Sequence, residues 1–253
     1  MFVKLIQSMK NTQVKAWRKL LTKKEREKTG TYLVEGYHLV EEALKYKEEV
    51  LEIISSVAIP STWDIKGVSI TKITDEISKY ISATETPQGI FAVCRKREVH
   101  LNTLSGKQFL LIDAVQDPGN IGTMVRTADA AGIDVVILGK GCVDLYNPKV
   151  IRSAQGSHFH IAIISGDLLF WIEKLQAEKV PIYGTALENG TVFKKVEPKK
   201  SFALIVGNEG EGVSDHLLQS TEKNLFIPIY GQSESLNVAI ATGILLYHLQ
   251  KGI

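Results

Sequence analysis

Residues 109–138 have the sequence FLLIDAVQDPGNIGTMVRTADAAGIDVVIL, in which two short apolar runs flank a glycine-containing loop and a helical pattern. Similar apolar runs recur in the carboxyl-terminal half at 160–164, 181–185, 202–206 and 225–229, with helical patterns between most of them. This alternation predicts an α/β domain with a mainly parallel sheet covered by helices on both faces. Because such sheets bind ligands in loops beyond the carboxyl ends of their strands, we expect the functional site there.

Three of those loops are rich in Gly, Asn, Asp, Glu and Ser: DAVQDPGNIGTMVRTADAAG (113–132), GNEGEGVSD (207–215) and YGQSESLNVAIATG (230–243). Each one alone fits a tight strand-to-helix turn, whereas three together favour a ligand site. The spacing in GNEGEG is not G-x-G-x-x-G, and the chain has no G-x-x-x-x-G-K-S/T pattern and no G-x-S-x-G elbow. These absences disfavour dinucleotide-dependent dehydrogenases, P-loop enzymes and serine hydrolases.

The first third of the chain predicts a smaller α/β unit. Helical spacing of Val14, Trp17, Leu20 and Leu21 predicts one helix over residues 11–27. A second helical pattern covers HLVEEALKY, and four β-rich runs are TYLVEG, VLEIISSVAI, VSITKI and GIFAVC. The polar stretch over residues 96–106 has no sustained period, so we place the domain boundary there. The expected domains are therefore residues 1–98 and 106–253.

Charge is concentrated at the amino-terminal end. Of the 253 residues, the first 30 contain nine Lys or Arg and two Glu, a balance of +7, while the whole chain carries only +2. A basic end on an acidic body indicates a surface that binds a polyanion such as nucleic acid. The alternative is a solvated amphipathic helix, which charge alone favours because lysine-rich surface helices are common.

The composition favours a cytosolic protein without a metal. No apolar run approaches the roughly 18 residues of a membrane-spanning helix, and MFVKLIQSMK lacks the pattern of a secretory signal. Cys94 and Cys142 are too few for a disulfide framework or a thiolate site. His158 and His160 alternate along a predicted strand onto one face, but no third ligand lies nearby, which favours ordinary histidines over a metal site.

Arg126 follows DPGN and is expected in the first turns of the next helix, where its side chain can project back towards the loop. Its planar and permanently charged guanidinium suits a phosphate or a carboxylate. The alternative is a surface salt bridge with Asp129 or Asp117.

Taken together, the three loops resemble the three motifs of the SpoU (TrmH) family of RNA ribose 2′-O-methyltransferases, in the SPOUT superfamily. The resemblance covers residues 109–250 and includes the intervening NPKVIRSAQGSHF. The stretch KLLTKKEREKTGTYLVEGYHLVEEAL is similar, more loosely, to the small RNA-binding domain that precedes the catalytic domain in this family. The resemblance implies a carboxyl-terminal trefoil knot, S-adenosylmethionine as methyl donor and a homodimer with the active site at its interface.

Site residues follow from the same resemblance. The cofactor is expected to contact Gly207, Ile227 and Leu236 through main-chain groups, beside Thr185. The family's functional positions correspond to Asn120, Arg126, Glu209, Ser235 and Asn237. Arg126 would hold the RNA phosphate and stabilise developing negative charge, and Glu209 would pair with Arg126, bind a backbone amide or brace its loop. With RNA as substrate, the amino-terminal cations become candidate phosphate contacts: Lys15, Arg18, Lys19, Lys23, Lys24 and Arg26.

The sequence therefore predicts a cytoplasmic, homodimeric methyltransferase that modifies a ribose 2′-hydroxyl, with ribosomal RNA favoured over tRNA as partner. A non-catalytic RNA-binding or ribosome-assembly factor on the same fold is the alternative. The five functional positions argue against it, because a protein that only binds RNA does not need all five.

Overall fold

The computed structural model describes residues 3–46, 49–97 and 108–251. They form two compact units: one contains the residues up to 97 together with Asp144–Phe159, and the other contains the rest. The segment 144–159, expected in the second domain, thus groups with the first unit. Residues 98–106 of the predicted linker lie outside the described part, and the division into 1–98 and 106–253 stays a prediction.

The first unit contains a five-stranded sheet in the order β1-β4-β3-β5-β2. Neighbouring strands are parallel except that β5 runs antiparallel to both β3 and β2. The four β-rich runs of the sequence all form strands, and β1 was not predicted. The strands are β1 (Val3–Ile6), β2 (Thr31–Glu35), β3 (Val50–Ser55), β4 (Ser69–Ile73) and β5 (Ile90–Arg95).

In its described residues this unit has five α-helices: α1 (Thr12–Lys19), α2 (Lys23–Thr29), α3 (Tyr37–Lys45), α4 (Asp75–Ile81) and α6 (Pro148–Ala154). The prediction of a single helix over 11–27 is wrong, because the helix is interrupted between Leu20 and Thr22. The Thr22 side chain accepts a hydrogen bond from the Glu25 amide and begins α2, and Gly30 ends it with a φ of 65°. Two apolar clusters cover the two faces of the sheet, one around Tyr32 and Val40 and the other around Trp17 and Phe91.

The second unit contains a seven-stranded, wholly parallel sheet in the order β10-β12-β9-β11-β6-β7-β8. The strands are β6 (Gln108–Ile112), β7 (Val135–Leu138), β8 (Ala162–Ser165), β9 (Ile182–Thr185), β10 (Thr191–Val192), β11 (Phe202–Val206) and β12 (Lys223–Phe226). The predicted α/β class with a mainly parallel sheet is confirmed. Strands β7 and β11 are buried along their whole length, which explains why they are continuous apolar runs.

The helices of this unit are α5 (Pro118–Ala130), α7 (Leu168–Ala177), α8 (Asp215–Leu218) and α9 (Val238–Leu249). Residues of α7 and α8 pack with Phe109, Ile137 and Ile205 on one face of the sheet. On the other side, α9 packs against α5 and β11. Between α9 and α5, the Thr242 hydroxyl lies 3.4 Å from the Met124 sulfur. After α9 the chain pairs Gln250 with Lys199, and the trefoil knot stays a prediction.

Candidate active site

Three polar loops leave the second sheet at one edge. They follow β6, β11 and β12, and β9 lies between β11 and β12. In the parallel register Val206 is opposite Ile112, and Thr185 is opposite Leu225, so these strands end at nearly the same level. The three predicted motifs therefore meet at the carboxyl edge of four adjacent strands, as expected for a ligand site in this class of sheet.

The loop after β6 leads into α5. The Asp117 side chain accepts a hydrogen bond of 2.8 Å from the Asn120 amide and caps the helix, and Pro118 occupies its first turn. Because the helix begins at Pro118, Arg126 is its ninth residue. The expectation that Arg126 lies in the first turns is therefore wrong.

Arg126 is exposed, and its side chain makes no hydrogen bond or ion pair with any residue that the structure describes. The two acidic residues considered as its salt-bridge partners are engaged elsewhere. Asp117 caps α5, and Asp129 lies 2.8 Å from Nδ1 of His160. The guanidinium is left available for an external anion.

The loop after β11 is a tight hairpin. Asn208 and Gly212 exchange two backbone hydrogen bonds of 2.9 and 3.0 Å, and the Asn208 side-chain oxygen accepts a bond of 2.8 Å from the Gly210 amide. A Cβ at Gly207 would collide with the carbonyl oxygen of Gly212, so only glycine fits there. The hairpin presents Glu209, which is exposed, at its tip.

Two further side chains join this hairpin to the first loop. The Asn208 amide donates to the carbonyl oxygen of Ala114 over 2.9 Å. Asp113, which is buried, accepts bonds from the amide and hydroxyl of Ser214 at 2.9 and 2.6 Å. Sequence reasoning missed both residues, although their position directly after apolar strands was a usable signal.

Asn120 connects all three motifs. Its side-chain amide donates to Oε1 of Glu209 over 2.9 Å, and its oxygen accepts from the side-chain amide of Asn237 over 3.0 Å. The Asn237 oxygen in turn accepts from the Ala239 and Ile240 amides and caps α9. The structure thus joins three of the five predicted residues in one hydrogen-bonded chain. Glu209 binds Asn120 here, which leaves its expected pairing with Arg126 unmade.

Ser235 is exposed in the third loop, two residues before Asn237, and its carbonyl oxygen accepts a bond of 2.8 Å from the Ser233 hydroxyl. Residues 227–236 of this loop make no backbone–backbone hydrogen bond with another described residue. The main-chain donors and acceptors of Ile227 and Leu236 are therefore not used by other described backbone groups.

The other predicted cofactor residues, Thr185 and Gly207, lie at the carboxyl ends of the neighbouring strands β9 and β11. Thr185 ends β9 and donates from its hydroxyl to the Ile205 carbonyl over 3.2 Å, and Gly207 begins the neighbouring hairpin. The Leu236 side chain is exposed. A glycine turn, unpaired backbone groups and apolar side chains fit the nucleoside and the sulfonium of S-adenosylmethionine.

The amino-terminal cations divide into two groups. Lys15, Lys19, Lys23 and Lys24 are exposed. Arg18 is also exposed, donates to the Ser82 carbonyl over 2.9 Å and lies 5.5 Å from the centre of the Tyr80 ring.

Arg26 corrects the prediction, because it is only 3% exposed. Its guanidinium bonds Asp144 through Nη2 at 2.6 Å and through Nε at 3.0 Å, and it donates to the Leu20 carbonyl at 2.9 Å. These bonds join α2 to Leu20 and to Asp144 within the first unit, so the guanidinium is not available to a phosphate.

The prediction that His158 and His160 lie on one face of a strand is wrong. His158 lies in a short 3-10 helix, is buried and contacts the Tyr32 hydroxyl at 3.2 Å. His160 precedes β8 and pairs with Asp129. Over residues 3–46, 49–97 and 108–251 the structure has no group of three or more His, Cys, Asp or Glu side chains placed to hold a metal ion. In the same residues, no helix is both long and apolar enough to cross a membrane.

Comparison with known proteins gives two family matches. Residues 107–247 match the SpoU rRNA Methylase family, and residues 11–92 match the MRM3-like substrate binding domain. The 23S rRNA (guanosine(2553)-2'-O)-methyltransferase RlmP of Bacillus subtilis is 53% identical over 98% of this chain and 100% of its own length.

Solved structures agree with these matches. The AdoMet-bound rRNA methyltransferase from Sinorhizobium meliloti is 30% identical, with a TM-score of 0.89 and coverage of 98% of this chain and 97% of that one. The SpoU methyltransferase AviRb from Streptomyces viridochromogenes, in complex with AdoMet, is 25% identical with a TM-score of 0.83 and covers 95% and 97%. The geometry of the three loops and these matches lead to one conclusion: the chain belongs to the SpoU rRNA Methylase family.

Proposed function

We propose that this S-adenosylmethionine-dependent RNA ribose 2′-O-methyltransferase acts on 23S ribosomal RNA. The relative that is 53% identical along nearly the whole chain carries that activity in its name. The observation that carries the proposal is the hydrogen-bonded chain from Asn237 through Asn120 to Glu209, because it brings the three motif loops into one site.

The donor would lie on Thr185, Gly207, Ile227 and Leu236, held mainly by main-chain groups. When bound, S-adenosylmethionine supplies a methyl group on a sulfonium, which is an excellent leaving group for in-line displacement. The task of the protein is to align the ribose hydroxyl with that methyl group and to assist loss of the hydroxyl proton.

Arg126 would bind the RNA phosphate and stabilise negative charge on the ribose oxygen as its proton leaves. A guanidinium holds its own protons too firmly to act as a general base, so a phosphate oxygen or a water accepts the proton. The freedom of Arg126 from other described side chains supports this role.

Asn120, Glu209 and Asn237 would fix the relative positions of the loops, since each amide uses both its donor and its acceptor in the chain of bonds. Ser235, exposed beside this chain, would contact the target ribose. Glu209 keeps one carboxylate oxygen for a nucleotide or a backbone amide.

Substrate RNA would lie on the amino-terminal cations that remain exposed, namely Lys15, Arg18, Lys19, Lys23 and Lys24. Phosphate contacts of this kind make binding fall steeply with salt. The match of residues 11–92 to a substrate binding domain supports this assignment. An RNA substrate of ribosomal origin also supports a cytoplasmic location.

The protein would act as a homodimer, and α9 supplies the argument. Ile240, Ile244 and Tyr247 are exposed apolar residues at helical spacing, and Leu236 continues the same stripe into the third loop. An exposed apolar stripe next to a functional loop is typical of an interface between subunits. The resemblance to the SpoU (TrmH) family implies a carboxyl-terminal trefoil knot together with the homodimer, and we include the knot in this proposal.

The test is methylation of an unmodified 23S rRNA transcript by the purified protein with labelled donor, followed by mapping of hydrolysis-resistant 2′-O-methyl positions. We expect one modified ribose, first sought at guanosine 2553 in the numbering of the relative's name. A tRNA transcript is assayed in parallel. Labelling of the tRNA alone, or of neither the tRNA nor the 23S rRNA, would contradict the proposal.

A further inference from the structure

We propose that a cavity of about 400 Å³ in the first unit binds one nucleotide of single-stranded RNA, with Arg152 on its phosphate and Tyr37 against its base. This inference rests on the proposed function, because it locates part of the same enzyme's substrate outside the methyl-transfer site. It gives a role to NPKVIRSAQGSHF, residues 147–159, which the proposed mechanism leaves without one.

The local sequence explains how Arg152 reaches this cavity. Asn147 caps α6 by accepting a bond of 2.9 Å from the Lys149 amide, and Pro148 occupies the first turn. After the helix, Gly156 has a φ of 95°, and a Cβ there would lie 2.8 Å from Cγ of Glu42 on α3. The segment can therefore lie against α3 only with glycine at this position, and α6 then presents Arg152 to the cavity.

The walls of the cavity are fixed by hydrogen bonds. The Gln88 side-chain oxygen accepts from the Tyr37 amide at 2.8 Å, and Nε2 of His38 donates to the Gln155 carbonyl at 3.1 Å. A preformed cavity of this volume is within the range of nucleotide-sized ligand sites.

Arg152 is the cation among the described lining residues, and its guanidinium has no hydrogen bond or ion pair with any of the described residues. The carboxylate in the lining, Glu35, is engaged with the loop at 82–84. It accepts from the hydroxyls of Ser82 and Thr84 at 2.6 and 2.7 Å and from the Ala83 amide at 3.1 Å. The Glu35 carboxylate keeps its negative charge, but neutral donors occupy its oxygens, whereas the Arg152 guanidinium offers its N–H groups to a phosphate.

The same loop connects the cavity to the basic surface of α1. Arg18 on that helix donates to the Ser82 carbonyl at 2.9 Å and lies over the ring of Tyr80, which is itself exposed. Tyr37, which is 38% exposed, lines the cavity together with Thr84. Cations interleaved with exposed aromatic rings are typical of surfaces that bind single-stranded RNA by phosphate contacts and base stacking.

The test compares Arg152→Ala, Arg152→Gln and Tyr37→Leu with Lys66→Ala, which removes one exposed charge from the same unit. Affinity for a 23S rRNA transcript is measured over a series of salt concentrations, together with kcat, KM for RNA and affinity for S-adenosylmethionine. We expect both Arg152 variants to weaken RNA binding about tenfold and to reduce the salt slope by about one, with donor affinity and kcat at saturating RNA unchanged. Tyr37→Leu should weaken binding about fivefold with an unchanged salt slope.

Equal RNA affinity and equal salt slope for Arg152→Gln and Lys66→Ala would overturn this inference while leaving the methylation result untouched. If wild-type protein methylates no RNA but the Arg152 variants still lose RNA affinity, the proposed function fails and this site stands. Thermal unfolding of each variant distinguishes the loss of an RNA contact from the loss of structure. Because the Arg152 guanidinium is unpaired among the described residues, its replacement should not change the midpoint of thermal unfolding.

Discussion

Arg126 is the residue that we propose stabilises developing charge in methyl transfer, so its replacement should separate chemistry from donor binding. Arg126→Ala should lower kcat at least about 100-fold, the usual cost of removing one group that stabilises developing charge. Arg126→Lys should recover only part of the activity, because an ammonium lacks the planar fork. Calorimetry should give both variants the wild-type affinity for S-adenosylmethionine, and lost donor affinity would contradict the assigned role.

We expect His160 to keep Arg126 available by binding a neighbouring carboxylate. Its Nδ1 atom is 2.8 Å from Asp129, which lies three residues after Arg126 on α5. Side chains three apart on a helix can pair, so His160→Ala should release Asp129 to compete for the guanidinium. Exposed pairs contribute up to about 1 kcal/mol, which predicts a two- to fivefold fall in kcat/KM.

The control is the double variant His160→Ala with Asp129→Asn. It should return to wild-type activity, since no carboxylate is left to bind Arg126. A double variant as slow as His160→Ala alone would show that the histidine matters for another reason.

Single side chains show how far sequence reasoning can reach. Asn120, Glu209 and Asn237 were assigned together from a resemblance in three separate loops, but the order of their hydrogen bonds needs the sheet to place those loops side by side. Arg26 could not be assigned correctly, because its partner Asp144 lies 118 residues further along the chain. Nothing in the local pattern of α2 distinguishes it from its exposed lysine neighbours.

At the level of elements, α2 illustrates two different uses of basic residues. Arg26→Ala would leave Asp144, whose side chain is only 16% exposed, without its partner. Breaking such a pair should lower the free energy of unfolding by about 3 kcal/mol, measured by urea denaturation. Lys24→Ala, two residues away and exposed, should leave stability within about 0.5 kcal/mol and instead weaken RNA binding. If Arg26→Ala weakened RNA binding without lowering stability, Arg26 would belong to the RNA-binding surface after all.

Element boundaries depended on caps more than on periodicity. The apolar runs at 135–138 and 202–206 are strands with those limits. The helix expected over 11–27 is divided because Thr22 caps a new helix, and the apolar spacing stops at Leu21, before that cap. The run at 225–229 ends as a strand at Phe226, two residues before Pro228, which lacks a backbone donor for the ladder.

For the whole molecule, the strand order in the second sheet could not be predicted from pattern. Placement of β11 between β6 and β9 results from contacts between distant segments, and this placement makes three separate loops into one site. The periodicity predicted the parallel class, and the resemblance predicted which loops matter. Neither could predict that residues 144–159 group with the first unit.

Assembly is tested on the exposed stripe of α9. Ile240→Glu combined with Ile244→Glu places two charges on that stripe and should convert the proposed homodimer to a monomer in sedimentation, with loss of methyl transfer. Phe170→Glu is the matched control, since Phe170 is 52% exposed on α7 and Ile240 is 55% exposed. A wild-type protein that sediments as a monomer and is fully active would contradict the dimer proposal.

A crystal structure of the protein with S-adenosylhomocysteine tests most directly whether the three loops form one donor site. We predict that the nucleoside lies against the backbone of residues 227–236 and Gly207, next to Thr185, with the Asn237–Asn120–Glu209 bonds intact. A ligand bound away from the carboxyl edge of β9, β11 and β12, or loops that separate when it binds, would contradict it.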